Sequence, residues 1–222
     1  RSHENIAVLS QPPNTGYARA FNVGIEHACT ERVGFLLSDD WLSELAVSAC
    51  LKFSTDIVST GLVIFDACGK KRIADRRVDL SQFLALPSLE AKASYLKHFL
   101  LFKKERLLEV GGVDETIGRT GPDDYDLVWT LLECGATVAV TGYPCYNYRD
   151  HFGQRLSLRS REDQVRDLQK ILDKHGVNGD ERKAVIARRA SWYGAPIQVT
   201  MKRKSKSNAE KANGSDSASG NL

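Results

Sequence analysis

The chain reads as an α/β fold with a mainly parallel sheet and flanking helices. Three observations predict it. Short apolar runs at Val33–Leu37, Asp56–Phe65 and Ala136–Thr141 suit buried strands. Between and after them lie stretches with apolar residues at helical spacing, most clearly Ala18–Cys29 and Arg159–His175. Strands that alternate with helices build βαβ units rather than a sandwich or a bundle.

The elements follow in order. Asn5–Leu9 reads as a strand and Gln11–Gly16 as a turn cluster. Ala18, Phe21, Ile25 and Ala28 share one face of the first helix. The strand Val33–Leu37 stops at Ser38-Asp39-Asp40. Ser43–Phe53 reads as a helix with Ser43 as N-cap. Asp56–Phe65 is rich in Val, Ile, Thr and Leu, hence a strand, and Asp66–Lys70 suits a hairpin turn. A helix over Ser88–Lys97 precedes a strand at His98–Phe102. Lys104–Val110 is a helix closed by Gly111-Gly112. Gly121, with Pro122 at the first helical position, opens a helix running to Cys134. The strand Ala136–Thr141 comes next. The amphipathic helix Arg159–His175 carries Val165, Leu168, Ile171 and Leu172 on one face, and Asp180 caps a last helix to Ala190.

Bulk properties narrow the class. The 222 residues suffice for one sizeable domain. A hydrophobic share of 42% with 27% charged residues is ordinary for a soluble globular chain. No run of eighteen apolar residues exists. The chain opens Arg-Ser-His-Glu, without Met or an apolar leader, and reads as starting partway into a longer protein. Five scattered cysteines without a C-x-x-C spacing read as buried small hydrophobes in a reducing, cytoplasmic compartment. The net charge of +3 is carried by residues 202–222, so the remainder is neutral. Lys202-Arg203-Lys204-Ser205-Lys206 and its polar continuation read as a disordered basic tail, residues 201–222. Such a tail is commonly a solvated terminus. It also suits peripheral contact with an acidic membrane at the inner face. Neutrality of the rest, with no aromatic residues interleaved among basic ones, argues against a nucleic-acid partner.

Two acidic clusters carry the chemistry. Asp39 and Asp40 follow the apolar run and so fall at the carboxyl end of a strand, where open α/β sheets bind ligands. Adjacent carboxylates repel unless a cation or donor offsets them, and hard oxygen ligands select Mg²⁺ or Mn²⁺. A turn that uses Asp for local hydrogen bonds is an equal reading. Asp123 and Asp124 occupy a first helical turn, which favours ionised carboxylates whether or not they act. Asp124 shares a face with the apolar Val128 and Leu131, so it points towards the sheet edge and suits a general base. Asp126 lies on another face and reads as solvated or structural.

Four blocks, in order, resemble a family. Asn14-Thr15-Gly16-Tyr17-Ala18-Arg19-Ala20-Phe21-Asn22-Val23-Gly24-Ile25 resembles the N-x-G-x-A-x-A-R-N-x-G-I segment of inverting family 2 glycosyltransferases with the GT-A (Rossmann-like) fold. Phe35–Leu42 resembles their D-x-D-D strand end. Gly111-Gly112-Val113-Asp114-Glu115 with Asp123–Leu127 resembles their G-G-F-D-E…E-D-Y-D-L block, and Tyr148-Arg149-Asp150-His151 their Y-R-x-H. The resemblance implies a nucleotide-sugar donor and a glycan, lipid or other hydroxyl acceptor. It implies Mg²⁺ or Mn²⁺ on Asp40, with His151 as a further ligand, and Asp124 as the base of a single displacement with inversion. It makes Asn14, Gly16, Arg19, Asn22, Asp39, Trp41, Asp123 and Arg149 candidate substrate contacts. Leu37 stands where many members carry the first acid, Phe21 at their Arg, and Asp123 at their Glu. No Q-x-x-R-W follows the base, unlike a processive polysaccharide synthase. The first strands of the family fold have no counterpart here, so by this resemblance the 222 residues should bind nucleotide-sugar weakly or not at all, and the full-length protein should bind it. The implied division is a GT-A domain over 1–151, a helical extension over 152–200 packed on it, and the tail. A non-catalytic nucleotide-sugar or glycan-binding relative is the alternative.

Overall fold

The computed structural model describes residues 6–12, 15–69, 72–96, 98–117, 123–151 and 160–190. They fall into two compact units. The first takes the chain up to Phe65 and then Ala74–Arg149; the second takes Asp66–Ile73 and the chain from Asp150 onward. The first division therefore falls two residues before the boundary expected at 151, and a hairpin turn goes with the second unit. The expected tail, residues 201–222, lies outside the described residues.

In the first unit, helix α1 spans Tyr17–His27, with Gly16 at its N-cap. Strand β1 (Arg32–Gly34) is followed by β2 (Trp41–Leu42) and the short helix α2 (Ala46–Cys50). Strand β3 (Ile57–Phe65) is the centre, and β4 (Arg72–Arg76) pairs with it. Helices α3 (Leu80–Leu84) and α4 (Leu89–Tyr95) lead to β5 (Leu100–Lys103) and α5 (Lys104–Glu109). Helix α6 (Asp123–Glu133) and the long β6 (Val138–Arg149) complete it. The second unit holds α7 (Arg161–Lys174), capped by Ser160, and α8 (Gly179–Ala190), which pack together.

The sheet order is β1-β5-β3-β6-β2. It is α/β with flanking helices, as expected, but mixed rather than mainly parallel. Along that order β3 and β6 run parallel, whereas β1–β5, β5–β3 and β6–β2 are antiparallel. Alternation of strands and helices predicts crossovers, yet it leaves strand direction open when β5 inserts between β1 and β3. The directions have one result that matters. The carboxyl ends of β1, β3 and β6 and the amino ends of β5 and β2 all meet at one edge of the sheet.

β3 is buried along eight of its nine residues: β5 and β6 pair on its two sides and α2 packs against it. Its polar members are satisfied internally: Thr60 Oγ1 accepts from Phe99 N–H at 2.8 Å. At Gly61 a side chain has no room, since a Cβ there would lie 2.4 Å from the Arg76 carbonyl oxygen. Opposite Gly61, β6 is irregular: its register against β3 shifts between Ser59 and Leu62, with Gly142 at φ 69°. Such bulges re-aim the following side chains. They carry β6 on to Arg149, well past the end expected at Thr141.

Other expectations need correcting. Residues 6–10 form no strand, and Ile6 and Val8 are exposed. Helix α2 is shorter than Ser43–Phe53: its N-cap position is Leu45, which has no side-chain cap, and Ser43 lies before it with its N–H on the Cys145 carbonyl. α3 is an unforeseen helix, capped by Asp79. Asp180 lies inside α8 rather than capping it. Of the cysteines, Cys50 and Cys145 are buried, but Cys29, Cys68 and Cys134 are exposed; all are free thiols.

Asp56 ties the far ends of three strands together. Its carboxylate accepts from Thr137 N–H and Oγ1–H, both at 2.8 Å, and pairs with Lys103 at 2.9 Å. Burial pushes this carboxyl up, but the Thr137 and Lys103 contacts outweigh burial and hold it at about 2. A depressed carboxyl contributes stability above its ordinary value that is lost as pH falls through the folded one. Asp56→Asn should therefore lower stability at neutral pH by about 1–2 kcal/mol, after discounting for solvent screening. The gap to wild type should close as pH falls from about 4 to about 2, read by urea melts across that range.

Candidate active site

The segment from Phe35 to Asp40 crosses the sheet edge, since β1 and β2 are the two outer strands of the main order. Asp40 N–H on the Leu37 carbonyl, at 3.2 Å, closes a turn there. Asp40 then meets the last residues of β6. Its carboxylate accepts from Tyr146 Oη–H at 2.5 Å and from Arg149 N–H at 2.8 Å. Burial raises Asp40 above the ordinary carboxylate value; Tyr146 and Arg149 pull it back, and neighbouring Asp39 adds to the rise. Burial, then Asp40, pushes the Tyr146 phenol well above its ordinary value, so it remains a donor.

Asp124 sits in the first turn of α6 with Leu127 and Val128 buried behind it. Its Oδ2 lies 2.8 Å from His98 Nε2. His98 stands just before β5, and its ring centroid is 5.6 Å from that of Tyr146. A continuous row thus runs from Asp124 through His98 and Tyr146 to Asp40. Asp124, His98 and Tyr146 border a pocket whose other walls are largely apolar, with Phe21, Phe35, Leu37 and Phe102 among them; Asp40 lies beyond Tyr146 and does not line it. Leu37, where the resembled family has an acid, is part of that wall.

The remaining candidates are distributed as follows. Trp41 packs on Phe65 at 4.8 Å between centroids, and the Arg149 guanidinium stands 5.6 Å from the Trp41 ring. Arg149 Nε is buried and makes no hydrogen bond among the described residues. Asp39 is half-buried in the turn beside Asp40. Gly16, at φ 89°, starts α1 and so presents Tyr17 to the pocket. Arg19 lies 3.5 Å from Glu115 and 3.8 Å from Glu26. Asn22 is buried, and its amide clamps the loop after α5. Nδ2 donates to the Val113 carbonyl at 2.9 Å and to Glu115 at 2.8 Å, while Oδ1 accepts from Val113 N–H at 2.7 Å. Gly112 must be glycine here: its φ is 76°, and a Cβ would fall 2.3 Å from Asn22 Oδ1. The contacts described for Arg19 and Asn22 are therefore structural ones that shape the pocket wall at Val113. Asp126, expected solvated or structural, is buried. Asp123 begins α6, Asn14 lies outside the described residues, and His151 belongs to the second unit.

His98 is the site member that sequence reasoning missed; Tyr146, first of the aromatic, basic and imidazole run Tyr146–His151 that could bind an acceptor or complete a metal shell, was given no role of its own. A signal existed for each. His98 immediately precedes the apolar run Phe99–Phe102, so it must emerge at a strand end. Tyr146 alternates with Cys145 and Asn147 in a strand that had been expected to end earlier.

A divalent cation is implied by the resemblance. Each Asp40 oxygen has accepted one hydrogen bond and keeps a further lone pair, and the adjacent Asp39 charge is one that a cation would offset. Magnesium and manganese need only one or two carboxylates besides water and phosphate. The donor set therefore fits such an ion, although no cluster of three or more His, Cys, Asp or Glu occurs among the described residues. No helix among the described residues is long and apolar enough to cross a membrane.

An α/β sheet with acids of two clusters on one edge resembles a GT-A glycosyltransferase of family 2. Over 150 residues the chain is 29% identical to the O-antigen biosynthesis protein RfbC of Myxococcus xanthus, a match that covers 65% of this chain and 11% of that protein. Among solved structures it is similar to S. aureus TarS 1–349 in complex with UDP-GlcNAc, at 18% identity and a TM-score of 0.49, covering 80% of this chain and 51% of that one. The same protein in complex with UDP gives 16% identity and a TM-score of 0.46, covering 80% and 50%. The chain thus spans about a tenth of the length of the curated relative and about half that of the solved structures. No protein-family model matches it.

Proposed function

We propose that the protein transfers a sugar from a nucleoside-diphosphate sugar to an acceptor hydroxyl, with inversion at the anomeric carbon. The observation that carries this reading is the row Asp124–His98–Tyr146–Asp40, which links the two acidic clusters at one sheet edge, with Asp124, His98 and Tyr146 lining a pocket there. Asp124 takes the hydroxyl proton as the acceptor oxygen attacks the anomeric carbon. The bond from that carbon to the diphosphate oxygen breaks, and its electron pair leaves with the nucleoside diphosphate. One displacement on the face opposite the leaving group inverts the centre, as in inverting glycosidases with an alcohol in place of water. Asp40 and Asp39 would hold Mg²⁺ or Mn²⁺; such an ion stabilises the departing diphosphate as a Lewis acid. Arg149, with its buried and unbonded Nε, suits a diphosphate oxygen, and Trp41 beside it suits the donor's ring. Asn14, Gly16, Arg19, Asn22 and Asp123 belong to the substrate side only through the resemblance.

Leu37 in the pocket wall favours a second reading, a non-catalytic relative that binds nucleotide-sugar or glycan. Incubating the whole protein with a panel of nucleoside-diphosphate sugars, acceptor glycans and Mn²⁺ separates the two. Release of nucleoside diphosphate is expected, abolished by EDTA and restored by Mn²⁺. Donor binding with no release from any donor favours the binding module, and release indifferent to EDTA removes the metal.

A further inference from the structure

We propose that His98 is a positioning residue for Asp124: its Nε2–H sets which carboxylate oxygen, in which rotamer, faces the acceptor hydroxyl. The inference rests on the transfer reading above. An ionised carboxylate only accepts, so at 2.8 Å from Asp124 Oδ2 it is His98 Nε2 that carries the proton. The Asp124 side chain is 49% exposed, where a carboxylate has several rotamers open to it and each partner narrows the choice. A base must meet its proton at about 2.6–3.2 Å, and a misplacement of about 1 Å costs on the order of a hundredfold in rate.

His98 is built to hold still. The next residue, Phe99, is buried and doubly bonded to the central strand: Phe99 N–H donates to Thr60 Oγ1 at 2.8 Å, and Thr60 N–H donates to the Phe99 carbonyl at 2.9 Å. Across the imidazole stands Tyr146, 1% exposed and itself bonded to Asp40. The carboxylate on a helix is thereby referenced to the middle of the sheet, and through Tyr146 to the acid expected to face the diphosphate. Neither the helix spacing nor the acidic clusters require a histidine at this point. Its placement supplies the link between the two halves of the site.

The test compares His98→Ala, His98→Gln, Asp124→Asn and the double variant Asp124→Asn/His98→Ala in the whole protein. His98→Ala should lower kcat about 10–100-fold with KM for the donor unchanged. His98→Gln keeps an N–H donor and should recover most of the rate. In the Asp124→Asn background, His98→Ala should cost nothing further, since the two act as a unit. An unchanged rate in His98→Ala, or His98→Gln no better than His98→Ala, overturns the inference. If Asp124→Asn itself leaves transfer intact, the base role given to Asp124 has failed although transfer stands, and spectroscopy then decides on the pair alone. Long-range ¹H–¹⁵N spectra should show His98 protonated at Nε2 and altered by Asp124→Ala; a His98 signal indifferent to that change overturns the inference whatever the activity.

Discussion

Asp124→Asn should reduce sugar transfer by about 10²–10⁴-fold and leave donor affinity nearly unchanged. The amide keeps the size of the side chain and can still accept from His98 Nε2, so the local packing of α6 survives. What it loses is the capacity to take a proton. Donor binding is expected to rest on the Asp40 and Arg149 side of the pocket, across His98 and Tyr146 from Asp124. Calorimetric titration with the donor, beside single-turnover rates, separates binding from chemistry. A rate within a few-fold of wild type would remove Asp124 from the base role. Loss of donor binding in parallel with the rate would place it in substrate recognition instead.

The second large effect should come from Tyr146→Phe. This phenol is buried and gives Asp40 a short hydrogen bond to an ionised acceptor. Removing it leaves a half-buried carboxylate with one donor fewer, a loss of about 1.5–3 kcal/mol at neutral pH. The sign with pH is opposite to that at Asp56. Because burial already raises Asp40, the folded state holds its proton more tightly than the unfolded chain, and this group's contribution falls as pH rises through its folded value. Tyr146 is one of the two hydrogen bonds that limit that rise, so its loss moves the fall to higher pH. In EDTA, the melting temperature of Tyr146→Phe should lie well below wild type at pH 7 and approach it below about pH 4, where Asp40 is protonated. A deficit that stays constant with pH would mean that packing, not Asp40, is what the hydroxyl supports.

The two acids at the ends of the row were legible in the sequence because each follows a rule of chain position. Asp40 ends an apolar run, and Asp124 sits in a first helical turn over Val128 and Leu131. Helices α1, α5 and α7 and strand β3 were legible from periodicity for the same reason. The link between the acids was not. His98 and Asp124 are 26 residues apart, and Tyr146 and Asp40 are 106 apart, so no local pattern connects them. β6 was read short because Gly142 and Pro144 resemble a turn; both fall in the irregular stretch opposite Gly61, which tolerates them. Asn22 was assigned to the ligand on the strength of its block, whereas its amide is engaged by Val113 and Glu115, which no spacing on α1 could reveal.

The crossing from Gly34 to Trp41 sets a limit on how such a chain can vary. Its seven Cα steps reach at most about 25 Å, and four strand spacings take up about 19 Å of that, before the Leu37–Asp40 turn takes up more. There is almost no slack. Losing one residue between Gly34 and Trp41 would pull Asp40 off Tyr146 and Arg149 or strip β2 from β6, whereas an added residue could loop outward and leave both in place. Length variation in this stretch should therefore run one way, towards longer segments, even where the residue types are free to change.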